Sequence, residues 1–147
     1  PPPDLPARPG EQVAADSLDP STEEQVLASI IFEDGKSYLK LEAYDEALAY
    51  FKRAISLAPT LPEYRAYLGW SVYKQDNNDP VQVAEARQIL LSVLKQDSQN
   101  EKALYYLGRL YEDSGRPDRA IECWEKAARN NSGSVEIGRA IKRLQNE

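Results

Sequence analysis

Small residues recur through this chain at an interval close to 34. Glycines at 35, 69 and 108 are separated by 34 and 39 residues, and alanines at 47, 86 and 120 by 39 and 34. A register held by two residue types at once marks one structural unit repeated three times, each copy burying its apolar face only against its neighbours. The five surplus residues must then lie between Gly69 and Ala86. The polar run Asp76-Asn77-Asn78-Asp79-Pro80 is where they are expected, as a surface loop.

Between each glycine and its alanine the apolar residues fall at three-and-four spacing, interrupted by a polar turn, which predicts a pair of helices. In the first unit Tyr38, Leu41, Ala47, Phe51 and Ala54 form the face, and Pro59 stops it. In the third, Leu104, Leu107, Leu110, Tyr111, Ala120, Trp124 and Ala127 do the same. Glycine and alanine suit the close crossing of paired helices, while Phe51, Leu90 and Trp124 are expected to fill the space between neighbouring units.

The ends of the chain follow different rules. Residues 1–20 hold six of the ten prolines and few large apolar side chains, so they are expected to form a tail or linker of polyproline II character. Ser21-Thr22-Glu23-Glu24 reads as a capping box, starting a first helix about two turns longer than the repeat requires. After the third unit, Ser132-Gly133-Ser134 resets the chain, and Val135, Ile137, Ala140, Ile141 and Leu144 give one more amphipathic helix to cover the last repeat. The expected division is therefore a tail at 1–20, repeats at 21–61, 62–100 and 101–133, and a capping helix at 134–147. The absence of an initiator Met suggests a fragment or a processed product.

Composition excludes several classes. The 147 residues are 41% apolar, enough for one core, and no run of 18 apolar residues offers a membrane span. A net charge of −6 and the lack of a Lys/Arg cluster argue against nucleic acid, whose affinity comes from neutralised phosphates. The acidity lies at the front, with 11 acids and 5 bases in residues 1–60 and 13 of each beyond. There is no histidine and one cysteine, Cys123, expected as a small core residue. No internal disulfide can form, no zinc or other metal set is expected, and a reducing, cytoplasmic setting fits. Asp76 to Pro80 lacks the alternating acids and terminal Glu of a calcium loop. No nucleophile stands beside a base and no phosphate loop follows a strand, so neither catalysis nor a cofactor is expected.

These units resemble the tetratricopeptide repeat (TPR), a 34-residue pattern with Leu-Gly, Tyr, Ala, an aromatic residue and Pro at fixed places. The third unit matches with Leu104, Leu107, Gly108, Tyr111, Ala120, Trp124 and Ala127, with Ser132 where Pro is usual. The first matches with Gly35, Tyr38, Ala47, Phe51, Ala54 and Pro59, but has Asp34 in place of Leu; the second has Leu68, Gly69, Val72, Ala86, Leu90 and Val93. The resemblance implies an all-α, right-handed α-solenoid of three hairpins, whose concave wall is lined by the leading helix of each pair and holds peptides. It also implies a protein or peptide ligand.

The family's carboxylate clamp is not reproduced, since its five places hold Phe32, Lys36, Tyr67, Lys102 and Tyr106, and only Lys102 is unchanged. What replaces it is aromatic. Phe32, Tyr67, Trp70, Tyr73, Tyr105 and Tyr106, with Lys36, Lys102 and Arg109, are the expected partner-binding residues, forming an exposed wall of the kind that makes binding hot spots. Three readings of the rings stay open: capture of a partner's peptide or helix, docking of the chain's own Pro-rich tail or a neighbour's, and packing between helices. The functions that follow are a scaffold or adaptor, a self-associating structural unit, and a co-chaperone or bacterial motility or secretion adaptor.

Overall fold

The computed structural model describes residues 21–130 and 134–146; residues 1–20, on which the expected tail falls, 131–133 and 147 lie outside the described residues. Seven helices follow in chain order: α1 (Thr22–Lys40), α2 (Tyr44–Leu57), α3 (Pro62–Gln75), α4 (Pro80–Gln96), α5 (Glu101–Asp113), α6 (Pro117–Asn130) and α7 (Val135–Gln145). No strand occurs among the described residues. Pairs α1–α2, α3–α4 and α5–α6 pack as hairpins, the second helix of each lies on the first helix of the next, and α7 covers α6. This is an all-helical solenoid.

Local chemistry starts five of the seven helices where they begin. The Ser21 hydroxyl accepts from the Glu24 amide at 3.1 Å and the Glu24 carboxylate accepts from the Ser21 amide at 3.0 Å, completing the capping box. Asn100 and Ser134 cap α5 and α7 through the amides of Ala103 and Ile137. Pro62 and Pro80 occupy the first turns of α3 and α4, where a missing N–H costs nothing.

Hairpins one and three turn identically. Glu42 (φ 60°) and Gly115 (φ 77°) are the left-handed residues. Ala43 and Arg116 donate back to the carbonyls of Tyr38 (2.9 Å) and Tyr111 (2.8 Å), a Schellman closure that satisfies the last carbonyls of α1 and α5.

The second hairpin departs from the sequence expectation. The surplus residues do not form a surface loop. The connection Asp76–Asp79 is four residues against three within the other two hairpins, α3 has 14 residues against 13 in α5, and α4 has 17 against 14 in α2 and α6. Most of the insertion is one more turn of α4, because Asp79 accepts from the Val81 amide at 3.0 Å with Pro80 as the first helical residue. Gln82, on that extra turn, donates to the Val72 carbonyl at 2.9 Å and to Gln75 at 2.8 Å, fastening it to α3.

At each crossing a glycine of the leading helix receives the bulk of its partner: Gly35 meets Phe51, Gly69 meets Leu90 and Gly108 meets Trp124, all three partners fully buried. Ala47, Ala86 and Ala120 are sealed beside them. Ile137 and Ala140 of α7 close the last hairpin.

Candidate functional site

Helices α1, α3 and α5 lie side by side and form the inner wall. Every expected ring is there, and the rings touch one another. Phe32 packs 5.0 Å edge-on to Tyr67, Tyr67 is 5.7 Å edge-on to Tyr106, Tyr106 stacks on Trp70 at 4.8 Å and 7°, and Trp70 meets Tyr73 at 5.4 Å. Phe51 and Tyr64 join from behind, 5.6 and 4.4 Å from Phe32.

The expected exposed wall is corrected by their burial. Phe32, Tyr67, Trp70, Tyr73, Tyr105 and Tyr106 range from only 4 to 9% exposed. Aromatic faces pair more favourably with one another than with water, so three adjacent helices carrying rings at matching heights zip them into one layer. The packing reading thus accounts for most of their surface.

What the wall presents instead is cationic. The Lys36 ammonium stands 5.0 Å over Phe32 and 5.8 Å over Tyr67, and that of Lys102 stands 5.8 Å over Tyr67 and 6.0 Å over Tyr106. Lys74 (5.6 Å) and the Arg109 guanidinium (5.3 Å) both cover Trp70. Their stems lie along ring surface while the heads reach solvent, which is how rings on a concave face become sealed. Lys36, Lys40, Tyr67, Lys102, Tyr106 and Glu136 line a hollow of about 450 Å³. Lys36 pairs with Glu33 at 3.0 Å, whereas Lys102 has no ion pair among the described residues.

The far end of the wall is fixed by polar bonds. The Tyr73 hydroxyl donates to Asp113 at 2.5 Å, tying α3 to α5, and burial followed by that carboxylate raises its pKa. Burial first, then Tyr67, raises that of Tyr106 far above the ordinary phenol. Tyr105 turns away from the other rings' hollow. It lines a recess with Val135, Arg139 and Ala140 of α7, accepts from Arg109 at 3.2 Å, and its carbonyl accepts from Trp124 Nε1 at 3.0 Å. Arg143 of α7 pairs with Glu112, which also stands 3.9 Å from Arg109.

Several groups on the wall fall outside the expected binding set. Lys74 and Lys40 occupy inward repeat positions and were legible by the same register as Lys36. Glu136 lies on α7, beyond the last repeat, where no register points inward. Elsewhere, burial pushes the Cys123 thiol up to about 11. Among the described residues no group of three His, Cys, Asp or Glu side chains is placed to hold a metal ion, and no helix is long and apolar enough to cross a membrane.

Comparison with known proteins gives the geometry its kin. Tetratricopeptide-repeat models match residues 31–61 and 101–134. Protein NPG1 of Arabidopsis thaliana is 26% identical over 104 residues, which are 71% of this chain and 15% of that protein, so the chain spans a small part of this relative's length. The Arabidopsis OM64 TPR domain superposes with a TM-score of 0.68 at 19% identity, over 84% of this chain and 98% of that one. The Sgt2 TPR domain from Aspergillus fumigatus gives 0.69 at 22%, over 88% and 82%. The first TPR of Spaghetti (RPAP3), bound to the HSP90 peptide SRMEEVD, gives 0.68 at 16%, over 81% and 93%. Three stacked hairpins with glycine-to-bulk crossings, the first and third matching the repeat model in register, place this chain in the tetratricopeptide-repeat family.

Proposed function

We propose that the chain is a protein–protein interaction module, an adaptor rather than a catalyst, that holds an acidic segment of a partner polypeptide against the inner wall. The observation that carries this is the pair of ammonium groups of Lys36 and Lys102, each 5.8 Å from the centroid of the one Tyr67 ring and supplied by different helices. They stand no farther apart than twice that distance. Two like charges over one ring repel, and a carboxylate lodged between them removes the repulsion while gaining charge-assisted hydrogen bonds. The rings below act as a rigid floor: they fix the height of the cations and offer only their edges to the ligand. Lys74 and Arg109 extend the charged row over Trp70. The acidic HSP90 peptide bound by the first TPR of Spaghetti supports the ligand chemistry.

Fluorescence anisotropy with labelled SRMEEVD, against a version whose carboxylates are all amides, tests it. The acidic peptide binds and its amide counterpart binds at least tenfold more weakly, as expected when charged hydrogen bonds worth about 1.5–3 kcal/mol are lost. Lys102→Ala lowers affinity by a similar factor. Equal binding of the two peptides, or an unchanged affinity in Lys36→Ala/Lys102→Ala, would overturn the reading.

A further inference from the structure

The outer face of α1 carries an inference independent of the trough. Val26 and Ile30 are more than half exposed, Leu27 is 42% and Leu41 76% exposed, and Asp34 and Ser37 lie in line with them. In the next two hairpins the equivalent positions are buried. Tyr64 and Ala103 stand where Ile30 does, and Ser71 and Leu110 where Ser37 does, on helices that each receive the second helix of the preceding hairpin. The face of α1 is therefore built for stacking and has no helix on it among the described residues. Beside it Tyr38 and Tyr50, 5.0 Å apart, line a hollow of about 400 Å³ with Asp34 and Leu41.

The opposite end of the molecule presents the complementary pattern. Val135, Arg139 and Lys142 recur at helical spacing along α7, all exposed, and neither cation has an ion pair among the described residues. Apolar Val135 answers Val26 and Ile30, and Arg139 and Lys142 answer the carboxylates of Asp34 and Glu23. A two-fold pairing of α1 with itself would bring no cation of that stripe to Glu23 or Asp34. We propose that α1 receives α7 of a second copy of this chain, head to tail, so that the solenoid continues from one molecule into the next. Such a contact repeats without closing and yields short open chains rather than a fixed dimer.

Light scattering of the full chain, followed up to about 1 mM as suits a small charge-led interface, reads this directly. The weight-average mass rises with concentration above the 16.5 kDa of one chain and falls back in high salt. Ile30→Asp and the double variant Arg139→Glu/Lys142→Glu, all at exposed positions, each stay monomeric, with circular dichroism confirming their folding. An equimolar mixture of the two stops at twice the mass of one chain, because each variant keeps one working end. A monomer throughout the wild-type series overturns the proposal. So does association lost in Ile30→Asp but kept in the α7 double variant, which would mark a symmetric α1 pair.

Discussion

Adding one methyl group to each crossing glycine should destabilise the hairpins in a definite order. A Cβ on Gly108 would lie 2.1 Å from Trp124 Nε1 and 2.6 Å from its Cε2; on Gly35, 2.7 Å from Phe51 Cε1; on Gly69, 3.0 Å from Leu90 Cγ. Trp124 is fully buried and held by its bond to the Tyr105 carbonyl, so it cannot withdraw without leaving that N–H unpaired. Overpacking costs about 1–3 kcal/mol, an unsatisfied buried donor about 1–3 kcal/mol, and the better helix propensity of Ala returns about 1 kcal/mol. Gly108→Ala should therefore lose about 1–5 kcal/mol. Gly35→Ala, which meets a ring edge but breaks no hydrogen bond, should lose about 1–2 kcal/mol, and Gly69→Ala, against a leucine that can shift, under about 1 kcal/mol. Gly138 of α7 has open space around its Cβ, and Gly138→Ala should gain up to about 1 kcal/mol from propensity alone. Urea unfolding followed by tryptophan fluorescence ranks the four. Gly108→Ala as stable as the parent, or Gly69→Ala the worst, would refute the close-crossing account.

Other outcomes follow from single groups. Glu42→Gly relieves a left-handed residue at the α1–α2 turn and should raise stability by about 0.5–1 kcal/mol in chemical unfolding, the cost of that conformation outweighing glycine's extra unfolded-state entropy; no gain would mean that the turn is not strained. Tyr106 keeps its proton in the folded chain well above the pH at which the unfolded chain releases it, so the unfolded state binds fewer protons and stability falls as pH rises. The slope should approach 1.4 kcal/mol per unit beginning near about pH 10, and Tyr106→Phe should flatten it by that share; an identical alkaline slope in the variant would contradict the burial. Cys123, pushed up to about 11, should alkylate slowly at neutral pH and more than about tenfold faster in urea, and equal rates would place the thiol at the surface.

The pairing of helices into repeated hairpins was legible because a glycine that must clear a ring and an alanine that must clear a backbone are both chosen by helix-axis distance, which repeats with the unit. Asp34, anomalous as a repeat residue, is explained by its place: no described helix lies on that face of α1, so no leucine is required. The exposure of the rings was not legible. Inward direction follows from the register of one helix, but whether Tyr106 meets water or Trp70 depends on how closely α3 and α5 approach, a property of two helices together. The insertion was misread for a different reason. Asp79-Pro80 is a helix-starting pair as well as a polar turn, and the mutual satisfaction of Gln82 with Val72 and Gln75 favours the helix.

The central claim is that cations over a sealed ring layer form the ligand surface. Amide and side-chain NMR shifts of the full chain, recorded while SRMEEVD is titrated in, test it most directly. The account predicts that the perturbed signals gather at Lys36, Lys40, Tyr67, Lys102 and Tyr106, disappear at high salt and are absent in Lys36→Ala/Lys102→Ala. Perturbations gathered on the outer faces of α2, α4 and α6, or none at all at saturating peptide, would contradict it.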